Sequence, residues 1–168
     1  MASITFGGNP ATTVGELPQV GAKTPDFKLT KTDLTDVTLS DFLGSKLVLN
    51  IFPSVGTGVC AQSVRQFNQE VANMDGVKVL CISKDLPFAQ KEFCGAEGIH
   101  NVEMLSDYKT DTFGSDYGVT LLDSPFEGLL SRSIVVVDAD GTVVYTEQVG
   151  EIGEEPNYSK ALEAVRNA

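Results

Sequence analysis

The sequence predicts an α/β fold, with a mixed central β-sheet flanked by helices and an N-terminal β-hairpin. Three observations carry this expectation. Short apolar runs at residues 46–52 (KLVLNIF) and 77–83 (VKVLCIS) have strand length and are rich in strand formers. Each is followed by a segment that reads as a helix. Near the end of the chain Asp138-Ala-Asp-Gly141 is a hairpin signal between two further apolar runs.

Taken in order, the first 30 residues hold short extended pieces broken by Gly7-Gly8-Asn9-Pro10 and Gly21, which predict a hairpin and loop rather than a separate domain. Residues 46–52 form the first buried strand, and residues 53–58 a turn punctuated by two glycines. From Gly58 to Met74 the positions Cys60, Val64, Phe67, Val71 and Met74 keep the spacing of one helix face. Residues 77–83 are the next strand. A helix is predicted over 86–98, with Pro87 near its start and Gly98 at its end, followed by a short strand at 102–105. Strands at 132–138 and 142–146 form the hairpin, and a helix over 157–166 closes the chain. This order of elements is of the thioredoxin type. No repeat or linker divides it, so one domain over residues 1–168 is expected.

Composition narrows the function classes. Hydrophobic residues make up 42% and charged residues 21% of the chain, an ordinary globular mix. Twelve Lys plus Arg against 23 Asp plus Glu leave a formal charge of −11, which repels phosphate backbones and anionic lipid; neither nucleic acid nor membrane is an expected partner. The first residues lack a basic segment followed by an apolar core, and a cytoplasmic location is expected. Three cysteines and a single histidine provide neither a secreted disulfide framework nor a tetrahedral zinc set, so no metal is expected. The cysteines are therefore core filler or chemistry.

Periodicity points Cys60 inward, where a free cysteine commonly fills space. Its place in the first turn of the helix argues for chemistry instead. The first N–H groups of a helix are unpartnered and carry the positive end of the macrodipole, which favours a thiolate, the nucleophilic form. Burial opposes this, and a nearby cation would tip the balance.

The run Pro53-Ser-Val-Gly-Thr57-Gly-Val-Cys60 has the spacing Pro-x-x-x-Thr-x-x-Cys and resembles the active-site pattern of peroxiredoxins. With Leu80-Cys-Ile-Ser-Lys-Asp-Leu-Pro-Phe-Ala-Gln-Lys-Glu-Phe-Cys94 and the stretch from Val149 to Tyr158, the chain resembles the bacterial thiol peroxidases, an atypical two-cysteine group, over essentially its whole length. The resemblance implies a thiol-dependent peroxidase that reduces hydrogen peroxide and alkyl hydroperoxides without a cofactor. Cys60 would attack the peroxide and become a sulfenic acid. Thr57 would set its hydroxyl against the peroxide, Arg132 would favour the thiolate and steady the departing oxygen, and Pro53 would shield the sulfur. Bland readings remain for these three: an N-cap, a surface arginine and a strand terminator.

The resemblance also makes Cys94 the resolving thiol, forming an intramolecular disulfide with Cys60 that thioredoxin reduces, and implies a homodimer. On the predicted helix Cys94 shares a polar stripe with Gln90, Lys91 and Gly98, while Ala89, Phe93 and Ala96 make the apolar face. Cys94 is therefore expected to point away from the core. A disulfide tolerates a Cα separation of only about 7 Å, so local unwinding around both cysteines is expected. Cys81, between Leu80 and Ile82, reads as core.

Rivals fare less well. Cys60 and Arg65 are separated by four residues where a cysteine phosphatase loop needs five, and Ser63 stands where a Cys-x-x-Cys exchanger needs its second thiol. A non-catalytic thiol sensor that signals oxidation to a protein partner remains an alternative at this level.

Overall fold

A computed structural model describes residues 1–168. Seven strands form the main sheet: β3 (Lys28–Lys31), β4 (Asp36–Thr38), β5 (Lys46–Ile51), β6 (Val77–Ser83), β7 (Val102–Ser106), β8 (Ser133–Val137) and β9 (Val143–Gln148), in the order β4-β3-β7-β6-β5-β8-β9. β5, β6 and β7 run parallel, while β8, β9, β3 and β4 pair antiparallel, which makes the sheet mixed as expected. β1 (Ser3–Phe6) and β2 (Asn9–Thr12) form the separate N-terminal hairpin. Four helices complete the chain: α1 (Gly58–Glu70), α2 (Pro87–Glu97), the short α3 (Phe113–Asp116) and α4 (Tyr158–Asn167).

The apolar runs become central strands because both of their faces are covered. Along β5, Leu47, Leu49 and Ile51 enter one core layer with Leu80, Ile82, Val135 and Val137. That layer is roofed by Phe113, by Tyr117 and by Leu39 of a single 3₁₀ turn. The alternate residue Val48, with Phe52 beyond the strand, enters the opposite layer beneath α1 and α4, together with Cys60, Val64, Phe67, Ala161 and Val165. Phe67 is wholly buried and stacks edge-on against Tyr158, ring centroids 5.3 Å apart. Burying such a ring is worth about 2–3 kcal/mol and fixes α1 against the start of α4.

β3 and β4 are absent from the sequence reading. Their residues are short, polar and Thr-, Lys- and Asp-rich, so only pairing with the edge of β7 makes them strands. α1 ends at Glu70, four residues before Met74, although Val71 and Met74 still pack on the same layer.

Candidate active site

Cys60 is the third residue of α1. Thr57 caps the helix: its Oγ1 accepts from the Cys60 amide at 3.4 Å and donates to the Ser54 carbonyl at 3.1 Å. The thiol is wholly buried, facing inward as periodicity predicts. The loop before it is tied to the end of the central strand β6 by Asp85, two residues beyond that strand. This carboxylate accepts from Ser54 Oγ at 2.7 Å, from the Val55 amide at 2.9 Å and from Ser83 Oγ at 2.6 Å. Pro53 is buried in this loop. Ser63 donates to the Cys60 carbonyl at 2.8 Å, so it supports the helix turn.

Arg132 is the residue before β8 and is only 2% exposed, which removes the reading of it as a surface residue. Burying a guanidinium is tolerable only when its donors are used. Its Nε donates to the Ile152 carbonyl at 2.9 Å and its Nη1 reaches Cys60 Sγ at 3.2 Å. A thiolate there would gain a charge-assisted hydrogen bond in addition to the helix N-terminus. Thr57, Val59 and Arg132 face a cavity of about 300 Å³. Phe6, Phe126 and Ile152 give it apolar walls, and Glu151 stands at its rim. Phe6 and Phe126 meet edge to face, centroids 4.6 Å apart. The site thus offers a buried sulfur with a cation on it, beside an apolar-walled cavity that Thr57 and Arg132 line. No three His, Cys, Asp or Glu side chains converge to hold a metal.

Cys94 lies outside this cavity, in the last turn of α2, and all three cysteines are unbonded. The expectation that it points away from the core is corrected: it is half-buried and packs with Phe93 on the core layer that contains Cys60. Burial pushes its thiol above the ordinary range. The predicted apolar face of α2 is also corrected. Ala89 and Ala96 are exposed, whereas Pro87 and Gln90 are buried. Gln90 can turn inward because its amide donates to Ser83 Oγ and to the Leu105 carbonyl, at 3.2 and 3.0 Å. Cys81 is wholly buried, takes a weak hydrogen bond from Asn50 Nδ2, and is pushed up to about 12 by burial, as suits a core thiol.

Sequence reasoning missed Phe6, Phe126, Glu151, Ile152 and Tyr158 as parts of this neighbourhood. The Tyr158 phenol is raised by burial and by Glu155, whose carboxylate accepts a hydrogen bond from it at 2.8 Å, while the Arg132 charge opposes the rise. One signal was present: Glu151 is a lone acid between Gly150 and Gly153.

Comparison with known proteins agrees with this geometry. The redoxin family profile matches residues 19–162. Thiol peroxidases of Mycobacterium tuberculosis and Corynebacterium glutamicum are 57% and 55% identical to the chain over 165 residues, covering 98% of it and 99% of each relative. The crystal structure of a peroxiredoxin-like protein from Aquifex aeolicus superposes with a TM-score of 0.93 at 35% identity, covering 99% of this chain and 97% of that one. A cap, a buried arginine on a buried thiol and near-complete relatives converge on one conclusion: the chain belongs to the thiol peroxidase family of peroxiredoxins.

Proposed function

We propose that the chain reduces hydrogen peroxide and alkyl hydroperoxides to water or alcohols with Cys60, and that Cys94 and thioredoxin restore it. Thiol-dependent peroxide reduction is the activity of this family, and the observation that carries the residue assignment is Arg132 Nη1 at 3.2 Å from the buried Cys60 sulfur. The Cys60 thiolate attacks the terminal peroxide oxygen. An S–O bond forms as the O–O bond breaks, and the departing alkoxide or hydroxide takes a proton to leave as alcohol or water. Arg132 steadies charge on that oxygen. The Thr57 hydroxyl has its proton committed to Ser54 and one lone pair to the Cys60 amide, so its remaining lone pair is free to accept from the hydroperoxide O–H. The walls of Phe6, Phe126 and Ile152 suit an apolar tail on the substrate. Pro53, buried in the preceding loop, helps keep water from the sulfur.

Resolution follows: the Cys94 thiolate attacks the Cys60 sulfenic sulfur, an S–S bond forms, and the hydroxyl leaves as water. Cys60 is wholly buried and Cys94 half-buried on separate helices, unbonded, so this step needs the first turn of α1 and the end of α2 to open. A dithiol such as thioredoxin then exchanges with the disulfide. In the same reading the chain is one domain over residues 1–168 and works as a homodimer in the cytoplasm. No helix is long and apolar enough to cross a membrane.

The test is NADPH oxidation in a coupled assay with hydroperoxide, thioredoxin and its reductase. Cys60→Ser should fall to the uncatalysed background. Cys94→Ser should consume one equivalent of peroxide and then stall. Parent turnover no faster than Cys60→Ser would remove the peroxidase, and sustained thioredoxin-driven turnover by Cys94→Ser would remove Cys94 from the cycle.

A further inference from the structure

Glu151 takes no part in the thiol chemistry, yet its carboxylate ties its own segment to the N-terminal hairpin beside the cavity. Oε1 accepts from Thr5 Oγ1 and from the Gly8 amide, both at 2.9 Å. Oε2 accepts from the Gly153 amide at 2.9 Å and from the Gly7 amide at 3.3 Å. The two hairpin donors are available because Gly7 and Gly8 have φ of 57° and 83°. A two-residue turn with both central residues at positive φ closes the hairpin, and here its successive N–H groups converge on one anion.

The tie continues into the backbone. The Thr5 amide donates to the Gly150 carbonyl at 2.8 Å, and the Ile152 amide donates to the Thr5 carbonyl at 2.9 Å. The Ile152 carbonyl, on the next atoms of the same segment, accepts from Arg132 Nε at 2.9 Å. A guanidinium is a rigid plane, so holding Nε at one edge fixes where Nη1 points. Here it points at Cys60 Sγ. The path from hairpin turn to reactive sulfur therefore runs through hydrogen bonds to the Glu151 carboxylate and the Thr5 backbone, along the covalent chain to the Ile152 carbonyl, and on through Arg132.

We propose that Glu151 is a positioning residue for the peroxide reaction: it locks residues 150–153 to the N-terminal hairpin, and so holds the Ile152 carbonyl that aims Arg132 at Cys60. The proposal rests on the role assigned to Arg132 above. An amide at position 151 would set NH₂ donors against N–H donors, so Glu151→Gln should be as impaired as Glu151→Ala. Shape at this position is not enough; four acceptor sites on an anion are needed.

The experiment is a double-mutant cycle on the second-order rate of Cys60 oxidation by hydrogen peroxide, followed by stopped flow across a range of pH. Glu151→Ala and Glu151→Gln should each slow the parent about tenfold and move its pH–rate profile toward alkaline pH, yet neither should add to the loss already caused by Arg132→Ala. Thr5→Val removes a single donor and should slow the reaction about twofold to threefold with the fold intact. Equal loss with and without Arg132, or an unchanged rate and profile in all three variants, would overturn the latch. If Arg132→Ala itself reacted at the parent rate, the role of Arg132 and this proposal would fall together; loss at Arg132 with additive loss at Glu151 would remove the latch alone.

Discussion

Cys60 and Cys94 sit on consecutive helices against one core layer, but α1 and α2 are held in different ways. The start of α1 is saturated with partners: a Thr57 cap, an Asp85 anchor under the preceding loop, and Arg132 on the sulfur itself. The end of α2 is held more lightly: the amides of Gly98, in the left-handed region at φ 66°, and of Ile99 return to the Cys94 carbonyl, and the Glu97 carboxylate meets Arg65 of α1 at 3.3 Å in a partly exposed ion pair. Gly95, Ala96 and Glu97 are exposed. On the proposed cycle, the thiol that meets small peroxides needs a fixed environment, whereas the one that travels needs a helix end that opens at low cost. The difference between the two helix ends matches that division.

The sharpest way to break the comparison is at Arg132. Arg132→Ala should slow Cys60 oxidation by hydrogen peroxide about 100-fold, the scale on which one preorganised donor matters, while Cys94 stays as reactive toward an alkylating reagent as in the parent. A rate within threefold of the parent would show that the arginine only fills the core.

A smaller effect is expected at Gly98→Ala. The position needs a left-handed backbone, which costs a residue with Cβ about 1 kcal/mol, so amide exchange over residues 95–99 should quicken roughly fivefold while residues 58–64 keep their protection. Equal quickening at both helices would mean that they open together.

The smallest effect is in pH. Burial raises the Cys94 thiol above its ordinary range, so the closed helix holds the proton more tightly than an opened one. Closure is then fully favoured below the ordinary thiol value and weakens as pH rises through it toward the raised one. In a Cys60→Ser background, alkylation of Cys94 should titrate above a short cysteine peptide. A midpoint at or below the peptide's would contradict the half-buried state.

Much of this was legible from residue order. Strands β5 and β6 announce themselves as apolar runs, α1 by its repeating face, and Cys60, Thr57 and Arg132 converge as the motif implies. The errors share a cause. Gln90 and Cys94 turn inward because distant groups receive them, Ser83 and Leu105 for one and the core layer under α1 for the other. Glu151 works on Thr5, Gly7 and Gly8, some 145 positions away, and no periodic pattern reports a pairing at that range. β3 and β4 likewise exist through a neighbour's edge.

The Asp85 anchor bears on how much oxidant the molecule can survive. Ser54 and Val55 must part from it before the loop ahead of Cys60 can swing far, and each bond that has to break lengthens the stay of a freshly oxidised sulfur in its pocket. A sulfenic acid that lingers where peroxide is admitted meets a second molecule and becomes a sulfinic acid, a dead end without dedicated repair. On the proposed cycle, the same two hydrogen bonds that ready the first encounter therefore set the exposure at which the enzyme is spent.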